Sequence, residues 1–373
     1  MKSERGSIGR WLLAFSLVGL LGACAEKEPV RIGFMGGVSG RFADLGTTGR
    51  NGAMLAVEWR NERGGVAGRR VELIIKDDQQ DAEKARQALQ ELISEGVTAV
   101  LGPMTSSIAA GIVGDADRAG MLLVGGTVTT SGLTRKDDNF IRTISTTAEY
   151  GSHAAHAYRQ RYDFKRVALI YDLANRDYTE NWAKAFAATF ETEGGRVVQS
   201  LGFDSRNEKD YALLVGQLLR VQPELVVIAA SAVDGALLAQ KIRQRDSRVR
   251  LAGSAWTGTH RLMELGGSSV EGMLIEQYYN QDDPSVEYRQ FHQAYLKRFG
   301  YEPGFAGVVA FDAANALLDG LNENPDRKGL KARILKRSPF KGIQGEIPID
   351  AYGDAERPIT MTEVRDGKFV VVQ

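Results

Sequence analysis

The chain has 373 residues, and 47 Lys and Arg balance 47 Asp and Glu, which gives no basic surplus for nucleic-acid binding. Hydrophobic residues at 43% and charged residues at 25% exclude a disordered composition, and the length suggests two domains. The single cysteine excludes an intramolecular disulfide and a zinc site built on paired cysteines.

The N-terminus has the pattern of a targeting segment. Three basic residues precede the uncharged stretch 11–21, which is shorter than the ~20 residues of a bilayer span and matches a secretory signal. Cys24 follows directly after Leu-Gly-Ala, and this arrangement resembles the lipobox of bacterial lipoproteins. The resemblance implies a signal peptide at 1–23, a lipid anchor on Cys24 and a lipidated linker at 24–29. The alternative is an ordinary signal peptide with an incidental cysteine.

From Val30 onwards, short apolar strands alternate with amphipathic helices. The first series predicts strands at 30–34, 71–76, 98–101 and 121–124. It predicts a helix from about 48 to 63, a second helix that Asp81 caps and Gly96 ends, and a third that begins at Ser106. Such an alternation is typical of βαβ units with parallel strands.

A second series begins at Arg166. It predicts strands at 166–172, 196–200, 225–229 and 251–253, with helices at about 179–193, 210–221 and 235–245. The C-terminal part predicts helices at 286–299, 306–321 and 328–336, followed by a β-hairpin at 361–372 around Asp366-Gly367. The predicted fold class is therefore α/β, with two doubly wound parallel-sheet lobes.

Several motifs follow one another in a characteristic order. They are the first strand with its Val-Ser-Gly loop (32–40), a helix with a Gly-Gly exit (51–65), an acidic pair (77–78), a Gly-Pro-Met-Thr-Ser-Ser loop (102–107) and a threonine-rich loop (127–134). This set resembles the type I periplasmic binding proteins, specifically the leucine-, isoleucine- and valine-binding family of ABC importers.

The resemblance implies a division into two lobes with three hinge crossings. The crossings are expected near 145–150, 276–279 and 351–357. Lobe 1 would comprise 30–147 and 279–352, and lobe 2 would comprise 148–278 and 353–373. Ligands of open α/β sheets lie beyond the carboxyl ends of the strands, so the two lobes would close on a solute between those ends.

The predicted ligand residues of lobe 1 follow the ends of its strands. Ser106 and Ser107 stand at the start of a helix, where hydroxyls and free backbone N–H groups suit a carboxylate. Thr127 and Thr129 lie in the next loop, and Leu45 matches a family residue that covers the ligand. Plain N-capping of the helix and solvation of the threonine loop remain open as alternatives.

The predicted ligand residues of lobe 2 are Tyr178, Ser231 and Trp256. The resemblance assigns Tyr178 to a tyrosine that closes over the ligand, while Ser231 and Trp256 follow later strands. A half-buried surface tyrosine and a tryptophan that packs within the lobe are the alternatives.

One position departs from the family pattern. In the branched-chain amino-acid binders, an acid in the loop after the strand at 251–253 pairs with the ligand ammonium, but the matching residue here is Ala255. Asp204 or Glu276 could replace that acid, or the solute could lack an α-amine. The prediction is therefore an amino acid or a related small carboxylate-bearing solute.

The sequence contains no nucleotide-loop, serine-hydrolase or zinc-protease motif, which predicts a protein that is not an enzyme and needs no cofactor or metal. The predicted function is that of an extracytoplasmic solute-binding lipoprotein, a monomer in the periplasm or at the cell surface. Its partners would be the solute, an ABC permease and the membrane that holds its lipid. The alternative is a ligand-sensing receptor of a signalling system with the same fold.

Overall fold

A computed structural model of the protein describes residues 27–207 and 210–372. The predicted signal peptide and Cys24 lie outside the described residues. Within the described residues, two parallel sheets are each covered by helices, and a C-terminal stretch adds further helices and two antiparallel strand pairs.

The first sheet forms from the N-terminal part of the chain. Its strands are β1 (Val30–Gly36), β2 (Val71–Asp77), β3 (Ala99–Leu101), β4 (Leu122–Gly125) and β5 (Phe140–Arg142). They are all parallel in the order β2-β1-β3-β4-β5. Helices α1 (Ala43–Glu62), α2 (Ala82–Ser94) and α3 (Ser106–Arg118) supply the crossovers that parallel strands require. We call this body lobe 1.

The second sheet forms from the middle of the chain. Its strands β6 (Arg166–Asp172), β7 (Arg196–Phe203), β8 (Leu225–Ala229), β9 (Arg250–Gly253) and β10 (Leu274–Gln277) are parallel. Its helices are α4 (Thr147–Gln160), α5 (Arg176–Thr192), α6 (Tyr211–Arg220), α7 (Ala232–Arg245) and α8 (His260–Gly266). We call this body lobe 2.

The C-terminal stretch contributes to both lobes. Helices α9 (Val286–Phe299), α10 (Gly304–Glu323) and α11 (Leu330–Leu335), with the hairpin β11 (Phe340–Gly342) and β12 (Gly345–Ile347), belong to lobe 1, where α10 packs on α1. Strands β13 (Thr360–Arg365) and β14 (Lys368–Val371) join the second sheet antiparallel, giving the order β14-β13-β10-β9-β8-β6-β7.

Buried arginines hold the segments that cross between the lobes. The Arg142 backbone N–H donates to the Gly353 carbonyl at 2.9 Å, and its side chain donates to Asp354 at 2.8 Å. Arg357 forms a buried ion pair with Asp312 of α10 at 2.7 Å, while its backbone N–H donates to Ser145 Oγ at 2.8 Å. These charge-assisted bonds tie the first and third crossings to each other and to lobe 1.

Helix α10 is, among the described residues, the one helix long and apolar enough to cross a membrane. Its most apolar window is 89% buried inside the protein, as expected for a core helix. Gly52 of α1 allows α1 and α10 to pack closely, because a Cβ at that position would lie 2.1 Å from the Gly307 carbonyl oxygen of α10.

The predicted alternation of strands and helices is confirmed, and the largest difference is the 14-residue helix α4, which was not predicted. Asp81 caps α2 by accepting from the Glu83 and Lys84 N–H groups, as predicted, and the C-terminal hairpin is present as β13 and β14. Helix α1 begins at Ala43, five residues before the predicted start. Strand β5, helix α8 and the pair β11–β12 were not predicted, because elements of three to seven residues carry too few periods to recognise.

Candidate ligand-binding site

A small cavity lies where the carboxyl ends of the two sheets face each other. Five of the eight predicted ligand residues line it, two from lobe 2 and three from lobe 1: Leu45, Ser106, Thr127, Tyr178 and Trp256. The space between its walls is about 250 Å³, including open solvent. This is less than the ~300–1,000 Å³ of typical ligand pockets, so a bound solute would require the walls of the cavity to move apart.

Ser106 forms the lobe 1 end of the cavity, at the first residue of α3. Its Oγ accepts from the backbone N–H groups of Thr129 at 3.3 Å and Thr130 at 3.2 Å. The hydroxyl hydrogen is then available to donate to an anionic group, next to the positive end of the helix dipole. The same two bonds show that Ser106 also has a structural role, because it holds the following loop in place.

Thr127 has the opposite hydrogen-bonding character. Its Oγ1 donates to the Met104 carbonyl at 2.6 Å, so the hydroxyl offers only oxygen lone pairs to the cavity. Lobe 1 therefore presents a donor at Ser106 and an acceptor at Thr127, which is the arrangement that a zwitterionic solute requires.

Aromatic side chains form the lobe 2 wall. The rings of Tyr178 and Trp256 meet edge to face at 6.2 Å, and Trp256 also packs on Phe42 of lobe 1 at 5.5 Å. The buried Tyr178 hydroxyl lies close to the hydroxyls of Ser254 and Tyr278. Burial raises its pKa, and the charge of Glu276 raises it further, so the hydroxyl is a neutral group able to bind a polar solute.

Three predicted ligand residues do not line the cavity. The Ser107 hydroxyl donates to Asp177 of lobe 2 at 2.9 Å, which makes it a contact between the lobes. Thr129 Oγ1 is buried behind the wall, where it accepts from Thr147 Oγ1 at 2.8 Å. Ser231 is the N-cap of α7 and accepts from the Asp234 N–H at 3.2 Å. Local capping and loop bonds occupy these hydroxyls.

Glu276 lies next to the position where the family places its acid. Its Oε1 accepts from the Ala255 N–H at 3.0 Å and from Trp182 Nε1 at 2.8 Å. The residue is 0% exposed, and its Oε2 has no hydrogen-bond partner in the described parts of the chain. Burial raises the pKa of Glu276 to about 8. Glu276 lacks a positive partner among the described residues, but it does not line the cavity, so a ligand ammonium would reach it only after the wall moves.

The other candidate acid, Asp204, is placed differently. It forms an ion pair with Arg206 at 2.7 Å, and the Arg206 bond lowers the pKa of Asp204. Asp204 therefore has a positive partner already and does not line the cavity.

Five cavity residues were not predicted. They are Met104, Thr105, Asn175, Tyr278 and Phe305. Met104 and Thr105 adjoin the predicted serines and could have been found from the same loop, whereas Asn175, Tyr278 and Phe305 come from distant parts of the chain with no distinctive motif. Among the residues that the structure describes, no group of three or more His, Cys, Asp or Glu side chains could hold a metal ion.

Phe305 separates the cavity from a larger groove between the lobes. The groove has about 890 Å³ of space, including open solvent, and is lined from lobe 1 by Asp44 and Thr47 and from lobe 2 by His260 and Glu264. Thr259 of lobe 2 donates to Asp44 at 2.8 Å across it. Burial raises the pKa of Asp44 and lowers that of His260.

Two doubly wound lobes that face each other across a cavity at the carboxyl ends of their strands define a two-lobed binding protein. Residues 29–368 match the periplasmic binding protein family, and the chain belongs to that family. It is 24% identical over 358 residues to the leucine-, isoleucine-, valine-, threonine- and alanine-binding protein of Pseudomonas aeruginosa, with 95% of this chain and 94% of that protein covered.

Solved structures show the same fold. The branched-chain amino acid transporter substrate binding protein LivJ from Streptococcus pneumoniae, in complex with isoleucine, is 22% identical with a TM-score of 0.86, covering 92% of this chain and 99% of that one. An ABC transporter solute binding protein from R. palustris, in complex with benzoate, is 19% identical with a TM-score of 0.84, covering 92% and 96%. The relatives are substrate-binding proteins and not enzymes, and periplasmic binding proteins work outside the cytoplasm.

Proposed function

We propose that this protein is a solute-binding lipoprotein of an ABC importer, anchored at Cys24, that binds an amino acid or a related small carboxylate-bearing solute between its lobes. The observation that carries the proposal is the single cavity shared by Ser106 and Thr127 of lobe 1 and Tyr178 and Trp256 of lobe 2. The relative that binds leucine, isoleucine, valine, threonine and alanine supports an amino acid. The benzoate complex supports a carboxylate as the shared feature of solutes in this fold.

The carboxylate of the solute would bind at the start of α3. Ser106 has a hydroxyl hydrogen to donate, because its oxygen already accepts two backbone bonds. The preceding residue, Thr105, is the N-cap but makes no side-chain capping bond. Charge-assisted bonds at a helix N-terminus are a common way to hold a carboxylate.

The ammonium of the solute would be held by oxygen acceptors. Thr127 Oγ1 offers a lone pair to the cavity. The unpartnered Glu276 Oε2 lies outside the cavity lining and would reach an ammonium only if the wall beside Ala255 moved. Glu276 comes from β10, but its carboxylate meets the backbone of Ala255, the position at which the family acid is absent. A neighbouring strand would thus supply the charge that the loop lacks.

Matched ligands test which ends of the solute are recognised. Isothermal titration calorimetry would compare leucine with its 2-oxo acid, which lacks the ammonium, and with leucinamide, which lacks the carboxylate. We expect leucine to bind most tightly and each analogue to lose about tenfold or more, because a buried polar group is left unpaired. Equal binding of the 2-oxo acid would refute the ammonium site, and equal binding of leucinamide would refute the carboxylate site.

A second experiment identifies the solute without choosing candidates beforehand. Native mass spectrometry of gently purified protein would give the mass of a retained solute, and a mass outside the amino acids and small carboxylates would contradict the proposal. The lipid anchor is tested by mass spectrometry of the membrane fraction, in which a Cys24→Ala variant should lack the lipid mass.

A further inference from the structure

Arg41 of lobe 1 reaches across the cleft to Asp234 of lobe 2. Arg41 lies in the loop between β1 and α1, and Asp234 lies in the first turn of α7. Two guanidinium nitrogens engage both carboxylate oxygens: Nη2 bonds Oδ1, and Nε bonds Oδ2 at 3.3 Å. This two-point geometry is the strong form of an arginine–carboxylate pair.

The Asp234 carboxylate is held in place on lobe 2. Its side chain is 0% exposed, whereas the Arg41 side chain is 35% exposed. Ser231 donates to Asp234 Oδ2 at 2.5 Å, and the Tyr211 hydroxyl donates to Oδ1. The same Tyr211 hydroxyl accepts from Arg41 Nη2 at 2.9 Å. Lobe 2 therefore presents a fixed acceptor, and lobe 1 supplies the cation that pairs with it.

Neither member of this pair lines the ligand cavity. Two other ion pairs, Arg142 with Asp354 and Arg357 with Asp312, lie at the crossing segments. Away from those segments, the described contacts of Ser107 with Asp177 at 2.9 Å and of Thr259 with Asp44 at 2.8 Å lack a cation. Opening the cleft would separate Arg41 from a buried carboxylate, which is a larger loss than breaking an exposed ion pair.

We propose that Arg41 and Asp234 form a latch that stabilises the closed cleft and lengthens the residence time of the solute without touching it. This inference rests on the proposed function, in which the lobes close on a solute. Because the latch adds the same free energy to every closed complex, it changes affinity without changing the order of preference among solutes.

Stopped-flow fluorescence tests the latch, with Trp256 in the cavity wall as the reporter. We expect Arg41→Ala, in protein lacking residues 1–24, to raise the dissociation rate of each bound solute by about tenfold or more, and by a similar factor for all of them. The association rate should change much less. Arg41→Lys should give an intermediate rate, because an ammonium keeps the charge but loses the two-point geometry.

Two further variants separate the latch from a general loss of structure. Arg60→Ala removes an ion pair with Asp319 that lies entirely within lobe 1, and it should leave solute dissociation unchanged. Asp234→Asn combined with Arg41→Ala should be no faster than the faster single variant, since both remove one interaction. A similar acceleration by Arg60→Ala, or fully additive effects in the double variant, would overturn the latch.

Small-angle X-ray scattering of the solute-free protein tests the latch independently of the proposed function. If the wild type binds none of the tested solutes, the proposed function fails, yet the comparison with Arg41→Ala still tests the latch. We expect a larger radius of gyration for Arg41→Ala than for the wild type. Identical scattering together with unchanged dissociation, or identical scattering where no solute binds, would overturn the inference.

Discussion

Replacing Glu276 by Gln would remove a titratable group while preserving its hydrogen bonds. Oε1 of a glutamine can still accept from Trp182 Nε1 and the Ala255 N–H, the two donors that Glu276 uses. The substitution is close to isosteric, so its principal effect is to prevent a negative charge from forming at a fully buried position.

The expected effect on stability follows from the raised pKa. Burial raises the pKa of Glu276 from an ordinary 4.5 to about 8. Between these values the folded protein holds a proton that the unfolded chain has released, so stability falls as the pH rises from 4.5 to 8. One unit of pKa difference is worth about 1.4 kcal/mol, which sets the total cost of the charge above pH 8 at about 5 kcal/mol at most.

Urea unfolding of the solute-free protein at pH 5 and pH 8.5 measures this cost. We expect Glu276→Gln to match the wild type within about 1 kcal/mol at pH 5 and to exceed it by a few kcal/mol at pH 8.5. Glu264→Gln, which removes an exposed acid paired with Arg261, is the matched control and should show no such pH-dependent gain. Parallel pH profiles for the wild type and Glu276→Gln would refute the buried-charge reasoning.

The same carboxyl links binding to proton release. At pH 7 Glu276 is largely protonated, because its pKa is about 8, and pairing with a ligand ammonium would require it to ionise. Calorimetry in buffers of different ionisation enthalpy should therefore detect up to about one proton released per bound amino acid. Glu276→Gln should abolish the release and weaken amino-acid binding, whereas release that persists in this variant would exclude Glu276 as its source.

Three further substitutions and one control probe the site and the core. Ser106→Ala should weaken solute binding by about 10- to 100-fold in calorimetry and lower the unfolding free energy by about 1–3 kcal/mol, because two buried N–H groups lose their acceptor. Unchanged affinity would remove Ser106 from the site. Phe305→Ala should join the cavity to the neighbouring groove and shift a ligand panel towards larger solutes, and an unchanged preference would contradict its role as a wall. Gly52→Ala should cost about 1–3 kcal/mol in urea unfolding, since its Cβ would meet the Gly307 oxygen at 2.1 Å. Gly111→Ala on the open face of α3, where the nearest atom is 4.0 Å away, should instead be neutral or stabilising.

The alternation of strands and helices was readable from the sequence because hydrophobic periodicity is local. Strands such as β6, with its unbroken apolar run, and the capped helix α2 are specified by their own residues and neighbours. Strand β5 has only three residues, and its pairing with β4 depends on contacts that no local pattern encodes.

The sequence predicts those candidate site residues that come shortly after the carboxyl end of a strand. Leu45, Ser106, Thr127, Tyr178 and Trp256 line one cavity, because parallel strands bring their carboxyl ends to a common edge. The order of elements cannot tell which of two adjacent hydroxyls faces the cavity. Ser106 does so, while Ser107, one residue further along α3, turns to Asp177.

Composition, periodicity and motif order thus determined the fold class, the number of lobes and the neighbourhood of the site. Tertiary structure alone decided that the buried Glu276 carboxyl accepts from the Ala255 backbone, because the two residues come from different segments of the chain. It also decided the pairing of Arg41 with Asp234, which lie 193 residues apart. The interaction energy of two charged groups depends on their distance in space and on their burial, and neither quantity is encoded locally in the chain.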